Sequence, residues 1–332
     1  TLQDQQSVAV TIYSGDLALV KDLRKVRLNS GMSHLALRDV SAQIRPETAL
    51  LGSLSDAGSI AVLEQNFDFD LLTPGKLLEK YIGKNVSVVK THPTSGAETS
   101  EAAIVLSTSN GVVMRMGKRI ETGIPGRIVY DDVPANLRDR PTLVTRLNNS
   151  GAAEQTLELS YLTGGLEWKA DYVAELNARE NSVNLSGWVT LTNTSGTSYN
   201  NAKLQLVAGD VNRVQDYALV RAKSVGMMED KVAAPAPMAE ESLLEYHLYT
   251  LDRPTTIAEN QTKQVALLSA SGVPARKELV LHGNDYYYWS SYGNLGQKMK
   301  VSVFVEFENR ESARLGMPLP KGIIRVYKKD SA

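Results

Sequence analysis

Most of the chain alternates apolar and polar residues with a period of two, the pattern of strands that bury one face against a core. Residues 7–12, 17–20, 26–28 and 34–37 are short runs of this kind, separated by Ser14-Gly15 and Asn29-Ser30-Gly31 turns, and predict an N-terminal β-meander. Residues 60–65 repeat the pattern. One helix interrupts it: Thr73 is a capping residue, Pro74 suits the first helical position, and Gly83 can end the helix. Leu77, Leu78, Tyr81 and Ile82 then fall on one helical face.

Four short β runs follow at 85–89, 102–107, 111–116 and 127–130, joined by polar or glycine-containing turns. A short helix leading into about five short strands predicts a small SH3-like or Sm-like barrel over 74–135. From Pro141 the runs lengthen, at 142–147, 155–161, 169–177, 182–193 and 202–208, as expected for an antiparallel β-sandwich. Between 223 and 241 the periodicity gives way to Met, Ala, Pro and Glu, the composition of a flexible linker. Runs at 246–251, 264–268, 277–282 and 301–307 continue the sandwich. The expected fold class is therefore all-β, with antiparallel β-sandwich modules, a small barrel and one short helix. The expected modules are an N-terminal meander at 1–73, a barrel at 74–135, a first sandwich part at 136–222, the linker, and a sandwich continuation at 242–332.

Composition changes this picture little. With 332 residues the chain is longer than one core usually organises, which favours several modules. Its 36 basic and 37 acidic residues nearly cancel, so no global field draws it to nucleic acid or anionic lipid. Cysteine is absent, which excludes disulfides, thiolate catalysis and Cys-ligated zinc. No run of about 18 apolar residues predicts a membrane span. A start at Thr1 rather than Met suits an exported protein, periplasmic or secreted, whose signal peptide has been removed.

Candidate chemistry is sparse. His34, His92, His247 and His282 are widely separated and fit no metal-binding spacing. The carboxylate pairs Asp68/Asp70 and Asp131/Asp132 lack the companions of a calcium loop and read as solvated turns. Gly164-Gly165 reads as a tight turn, because no helix follows to make a phosphate cradle. No Gly-x-Ser-x-Gly elbow is present, and the basic segment Arg115-Met-Gly-Lys-Arg119 has no interleaved aromatics for stacking bases. Trp168, Tyr172 and Trp188 lie in alternating strands, where large aromatics are expected in the core. The residues therefore point to no catalytic group, no metal and no cofactor.

Several strings resemble one bacterial family. Tyr161-Leu-Thr-Gly-Gly-Leu-Glu-Trp-Lys-Ala-Asp-Tyr172, Leu185-Ser-Gly-Trp-Val-Thr-Leu-Thr-Asn193 and Leu206-Val-Ala-Gly-Asp-Val211 are similar to the domain of unknown function forty-one thirty-nine, whose broader relatives include mucoidy inhibitor A-like proteins. Val10-Thr-Ile-Tyr-Ser-Gly-Asp-Leu-Ala-Leu-Val20, Tyr246-His-Leu-Tyr249, Thr262-Lys-Gln-Val265 and Leu315-Gly-Met-Pro-Leu-Pro-Lys-Gly-Ile-Ile-Arg-Val-Tyr327 fit the same family, so the resemblance covers nearly the whole chain. It implies export to the cell envelope and a β-rich architecture, and it supplies no catalytic residue. It also implies a further β segment beyond Tyr327, so this sequence is expected to be part of a longer chain.

Three function classes follow, in order of preference: a non-enzymatic binding or structural protein of the bacterial cell envelope that holds another protein, a glycan-binding module using exposed aromatics, and a hydrolase with an inter-module site. The expected recognition surface is the turn-rich excursion between 283 and 296, where Tyr286, Tyr287, Tyr288, Trp289 and Tyr292 cannot all be buried if the backbone is extended. The expected partners are an envelope protein or glycan and, through a bare strand edge near 322–327, a second copy of the chain. Nucleic acid is not an expected partner.

Overall fold

The computed structural model describes residues 4–68, 70–134, 137–209, 238–243, 246–283, 285–291, 299–313 and 315–328. In chain order the elements are β1 (Gln5–Tyr13), β2 (Leu17–Arg27), β3 (Gly31–Arg38), β4 (Leu50–Ser53), β5 (Ile60–Asp68), α1 (Pro74–Lys80), β6 (Asn85–Thr91), β7 (Glu98–Ser107), β8 (Val113–Met116), β9 (Arg119–Thr122), β10 (Arg127–Val129), β11 (Thr142–Asn149) and β12 (Glu154–Thr163). They continue with β13 (Leu166–Leu176), β14 (Ser182–Asn193), β15 (Tyr199–Ala208), β16 (Met238–Leu243), β17 (Tyr246–Leu251), β18 (Thr255–Ile257), β19 (Gln261–Val280), β20 (Ser302–Phe307) and β21 (Gly322–Lys328). The fold is all-β and sandwich-like, with one α-helix among the described residues. Two compact units emerge: 1–6 with 23–161, and 7–22 with 162–332.

In the first unit, α1 forms as its sequence predicts. The Thr73 hydroxyl accepts a hydrogen bond from the Lys76 amide at 3.2 Å, and Pro74 occupies the first turn. Leu78 and Tyr81 are buried and Leu77 packs beside them, but Ile82 is exposed, because the helix has ended at Lys80. The strands that follow make an antiparallel sheet in the order β10-β6-β7-β8-β9, with the last strand returned to the first, a connectivity shared with small five-stranded barrels. Val86, Val88, Ala103, Val105, Met114 and Met116 form its core with the helix. Tyr81 meets Tyr130 edge to face at 4.9 Å and donates its hydroxyl proton to the Asp132 carbonyl at 2.7 Å.

The N-terminal strands depart from the predicted meander. The runs at 17–20 and 26–28 belong to one strand, β2, whose inward positions include Asp22 and Arg24. These polar residues broke the apolar pattern in the sequence, yet the Arg24 guanidinium is buried with a hydrogen bond to the Arg38 carbonyl at 2.8 Å. β3 pairs with β11, more than a hundred residues away, and not with β2.

The second unit carries the sandwich. One sheet runs β20-β19-β14-β13-β21. The facing layer includes β1, β15, β17 and β16, and Tyr249 of β17 meets Trp168 of β13 at 6.4 Å. Most pairs are antiparallel as expected, but β1 lies parallel to β15 and β13 parallel to β21. Parallel neighbours need long crossovers, so no turn motif announces them. The runs read as separate strands at 264–268 and 277–282 fall largely within β19, which continues through Gly272 at φ +66, where the amide donates to Asn184 Oδ1 at 2.9 Å. Of the stretch read as a linker, 223–237 lies outside the described residues, and 238–241 belongs to β16, paired with β17 and anchored by buried Met238.

Gly322, the first residue of β21, has no room for a side chain: a Cβ there would meet the Ala170 carbonyl oxygen at 2.3 Å and the Tyr172 ring at 2.9 Å. Replacing Gly322 with alanine must push β21 off β13 at its start, and overpacking of this kind costs about 1–3 kcal/mol. A urea unfolding midpoint unchanged by Gly322→Ala would contradict the β13–β21 register.

Candidate functional site

The strongest candidate site lies on the outward face of the β13, β14, β19 and β21 sheet. Its centre is Trp188. In β14, Val183, Leu185, Gly187, Val189 and Leu191 point inward, which leaves position 188 facing out, and its ring is 41% exposed. The expectation that Trp188 belongs to the core is therefore corrected. Gly187 takes the inward position beside it, where a Cβ would stand 3.2 Å from the Tyr172 ring, and the β14–β19 register shifts between Gly187 and Trp188 with the extra residue, Leu267, on β19. Tyr172 and Trp168, by contrast, lie on the inner face of β13, with Tyr172 fully buried.

Around Trp188 the pleat assembles a polar rim. Asp171 lies directly across from it on β13, Lys169 across from Thr190, and Gln264 of β19 on the other side of Thr190. The Gln264 amide donates to Thr190 Oγ1 at 3.2 Å. Arg325 of β21 reaches over and binds Asp171 at 3.0 Å. With Val173 these residues line an open depression of about 520 Å³. Among the described residues Lys169 has no ion-pair partner, so the rim carries one uncompensated cation. No nucleophile–base pair lines the depression; its one hydroxyl is engaged by an amide and its one carboxylate by a guanidinium.

The rim is held at one end by a second ionic device. In the turn between β13 and β14, Glu180 sits at φ +55 and binds Lys277 of β19 at 2.9 Å and Lys328 of β21 at 2.7 Å. These two ammonium groups, Lys328 first, hold the Glu180 carboxyl down to about 2. At the other end, burial pushes the Tyr172 hydroxyl up to about 12 while it donates to the Pro320 carbonyl at 2.8 Å.

The aromatic segment forms a one-turn 3-10 helix, Asp285–Tyr288, in place of extended backbone. Tyr288 is 88% and Trp289 76% exposed, whereas Tyr287 is half-buried with its ring beside Gly283. Of Tyr286 only the backbone is described, and Tyr292 lies outside the described residues. Among its described side chains the segment offers two open aromatic rings.

Several other candidates are occupied structurally. Asp68 is bound by Arg138 at 3.0 Å, and Asp70 by Lys80 at 2.7 Å, which lowers its pKa below the ordinary value. Asp132 caps its own turn by accepting from the Val133 amide at 2.7 Å. Gly164-Gly165 is the turn between β12 and β13, where the Gly165 amide donates to Asp16 Oδ1 at 2.6 Å. Arg119 is bound to both Glu101 and Glu121. His92 accepts backbone amides in its own turn, and His282 stacks edge-on with Phe304. Ser195, buried in the turn after β14, donates to Asn193 Oδ1 at 2.7 Å within a network reaching Tyr199. Among the described residues no three His, Cys, Asp or Glu side chains gather to hold a metal, and no helix is long and apolar enough to cross a membrane.

Parity along β14 was the signal in the sequence for Trp188: with Val183, Leu185, Val189 and Leu191 inward, position 188 must face out. Asp171, Lys169 and Val173 share the outward parity of β13. That Arg325 joins them depends on the parallel pairing with β21.

No protein-family model, no curated protein and no solved structure matches this chain.

The depressed Glu180 pKa makes a pH prediction. A carboxyl held below its ordinary 4.5 adds stability above that value, and the addition fades as pH falls towards about 2. Wild type should therefore exceed Glu180→Gln in urea midpoint at pH 7 and low salt, and the two should converge near pH 2. Added salt should narrow the gap, since the group is exposed. A gap that persists at pH 2 would assign the effect to something other than this charge.

Proposed function

We propose that this protein is a non-enzymatic binding module of the bacterial cell envelope that holds a glycan on the Trp188 face. The observation that carries the reading is the depression itself: a flat indole on an open sheet, ringed by Lys169, Asp171, Thr190, Gln264 and Arg325. A pyranose ring has an apolar C–H face that stacks on an indole, and hydroxyls around its edge that match side-chain donors and acceptors. Guanidinium and carboxylate groups make the stronger, charge-assisted bonds of such a rim. Lys169, lacking a partner among the described residues, favours a glycan with acidic substituents.

The envelope location rests on the family resemblance. The strings that carry the resemblance, 161–172, 185–193 and 315–327, supply β13, β14 and β21, the strands that build most of this face. The two open rings Tyr288 and Trp289 support a second reading, in which the 285–289 turn is the recognition surface for an envelope protein or glycan.

Titration calorimetry with acidic envelope glycans, guided by a glycan array, tests both readings. Trp188→Ala should weaken binding about tenfold to a hundredfold, the loss of an interfacial hot spot. Its melting temperature should stay near wild type, because the ring is not part of the core. Lys169→Gln should reduce the salt dependence of binding. Binding that survives Trp188→Ala but is lost in the Tyr288→Ala/Trp289→Ala variant would move the site to the turn. An array with no glycan bound would overturn the proposal.

A further inference from the structure

The floor of the Trp188 depression continues along the strand in both directions from the indole. On the outward face of β14, Ser186 precedes Trp188, and Thr190 and Thr192 follow it. Each is paired with a polar residue of β19: Ser186 with Ser269, Thr190 with Gln264, and Thr192 with Thr262. The three β19 partners are exposed. Opposite Trp188 itself stands Ala266, a side chain too small to cover the ring. Small neutral groups thus lie on both sides of one aromatic platform, and their hydroxyls and amides can donate and accept as sugar hydroxyls do. Among the described residues of this row no large side chain walls off either end.

The cations lie on the other flank. Lys169 of β13 is in register with Thr190, Asp171 with Trp188 and Val173 with Ser186, while Arg325 of β21 is in register with Val173. Lys169 and Arg325 therefore stand on opposite sides of the Trp188 register, and the four residues between 169 and 173 span about 13 Å at ordinary strand rise. The Arg325 Nη1 group holds Asp171, and the guanidinium has further N–H donors with which to bind a second acid.

We infer that the ligand of this face is a linear acidic glycan, held along β14 by the interior of its chain and not by an end. The inference rests on the glycan reading of Trp188 and adds the substrate class to it. One sugar ring stacks on the indole. Its neighbours in the chain extend over the Ser186–Ser269 pair on one side and the Thr190–Gln264 and Thr192–Thr262 pairs on the other, with their carboxylates towards Arg325 and Lys169. A site that reads a chain end needs a wall to stop the chain, and this row has none among its described residues. Units joined in one chain bind adjacent positions as intramolecular events, so affinity grows with length until the row is filled.

Calorimetry with a length series of galacturonic acid oligomers, from the single sugar to the octamer, tests this. The dissociation constant should fall at least about tenfold from the single sugar to the tetramer and level off at greater length. Octamers tagged at the reducing end, or carrying the unsaturated non-reducing end that a lyase leaves, should bind as the plain octamer does. Ser186→Phe and Thr192→Phe each raise a ring at one end of the row. Each should remove most of the gain with length, with the single sugar's affinity and the melting temperature kept near wild type. A single sugar bound as tightly as the octamer overturns the inference and leaves the glycan reading standing. So does an octamer whose binding either end modification abolishes, or a gain with length that neither Phe variant reduces. Binding at no length, or length-dependent binding that Trp188→Ala leaves intact, overturns both.

Discussion

One buried ring organises the sheet that carries Trp188. Tyr172 projects inward from β13 between two neighbours that make room for it with glycine: Gly187 on β14, and Gly322 on β21. Its hydroxyl donates to the Pro320 carbonyl just before β21 begins, so the same side chain fills the space between strands and hooks the edge strand into place. Burial of a large aromatic stabilises a core strongly, and here its geometry also fixes the parity of the strands on either side. Once Tyr172 and Gly187 are inward, Trp188 must be outward. Once β21 starts beside Ala170, Arg325 lies within reach of Asp171.

The charges have mostly a positioning role. Exposed ion pairs contribute little stability singly, yet several here connect strands that are distant in sequence: Glu180 to Lys277 and Lys328, Arg325 to Asp171, Arg119 to Glu101. Glu180 joins three consecutive elements of one sheet edge through a single carboxylate. Such ties limit how far the edge strand can swing away from the face it completes. Arg119, from the basic segment 115–119, is engaged in this way, and Lys169 stands apart from that pattern at the rim of the depression.

The recognition role proposed above uses an open face with one aromatic platform. Catalysis needs a nucleophile or base with its proton partner in reach, held away from water. The Trp188 depression is open, its hydroxyl accepts from the Gln264 amide and its carboxylate from the Arg325 guanidinium.

Local chemistry made part of this molecule legible. Thr73 and Pro74 start a helix because a hydroxyl and a fixed φ satisfy its first turn, whatever surrounds them, and period-two runs specify strands because alternate side chains meet opposite faces. The all-β class, the helix, the run of short strands after it and the inward burial of Tyr172 were readable for that reason. Pairing was not. A strand does not encode its neighbour, so β3 joining β11, β13 lying parallel to β21, and polar Asp22 and Arg24 continuing β2 were decided by distant partners that satisfy their backbone and side-chain groups. The site shows the same division. The outward parity of Trp188 was written in β14, but its polar surroundings come from four strands between residues 166 and 328, and only the sheet brings those strands side by side.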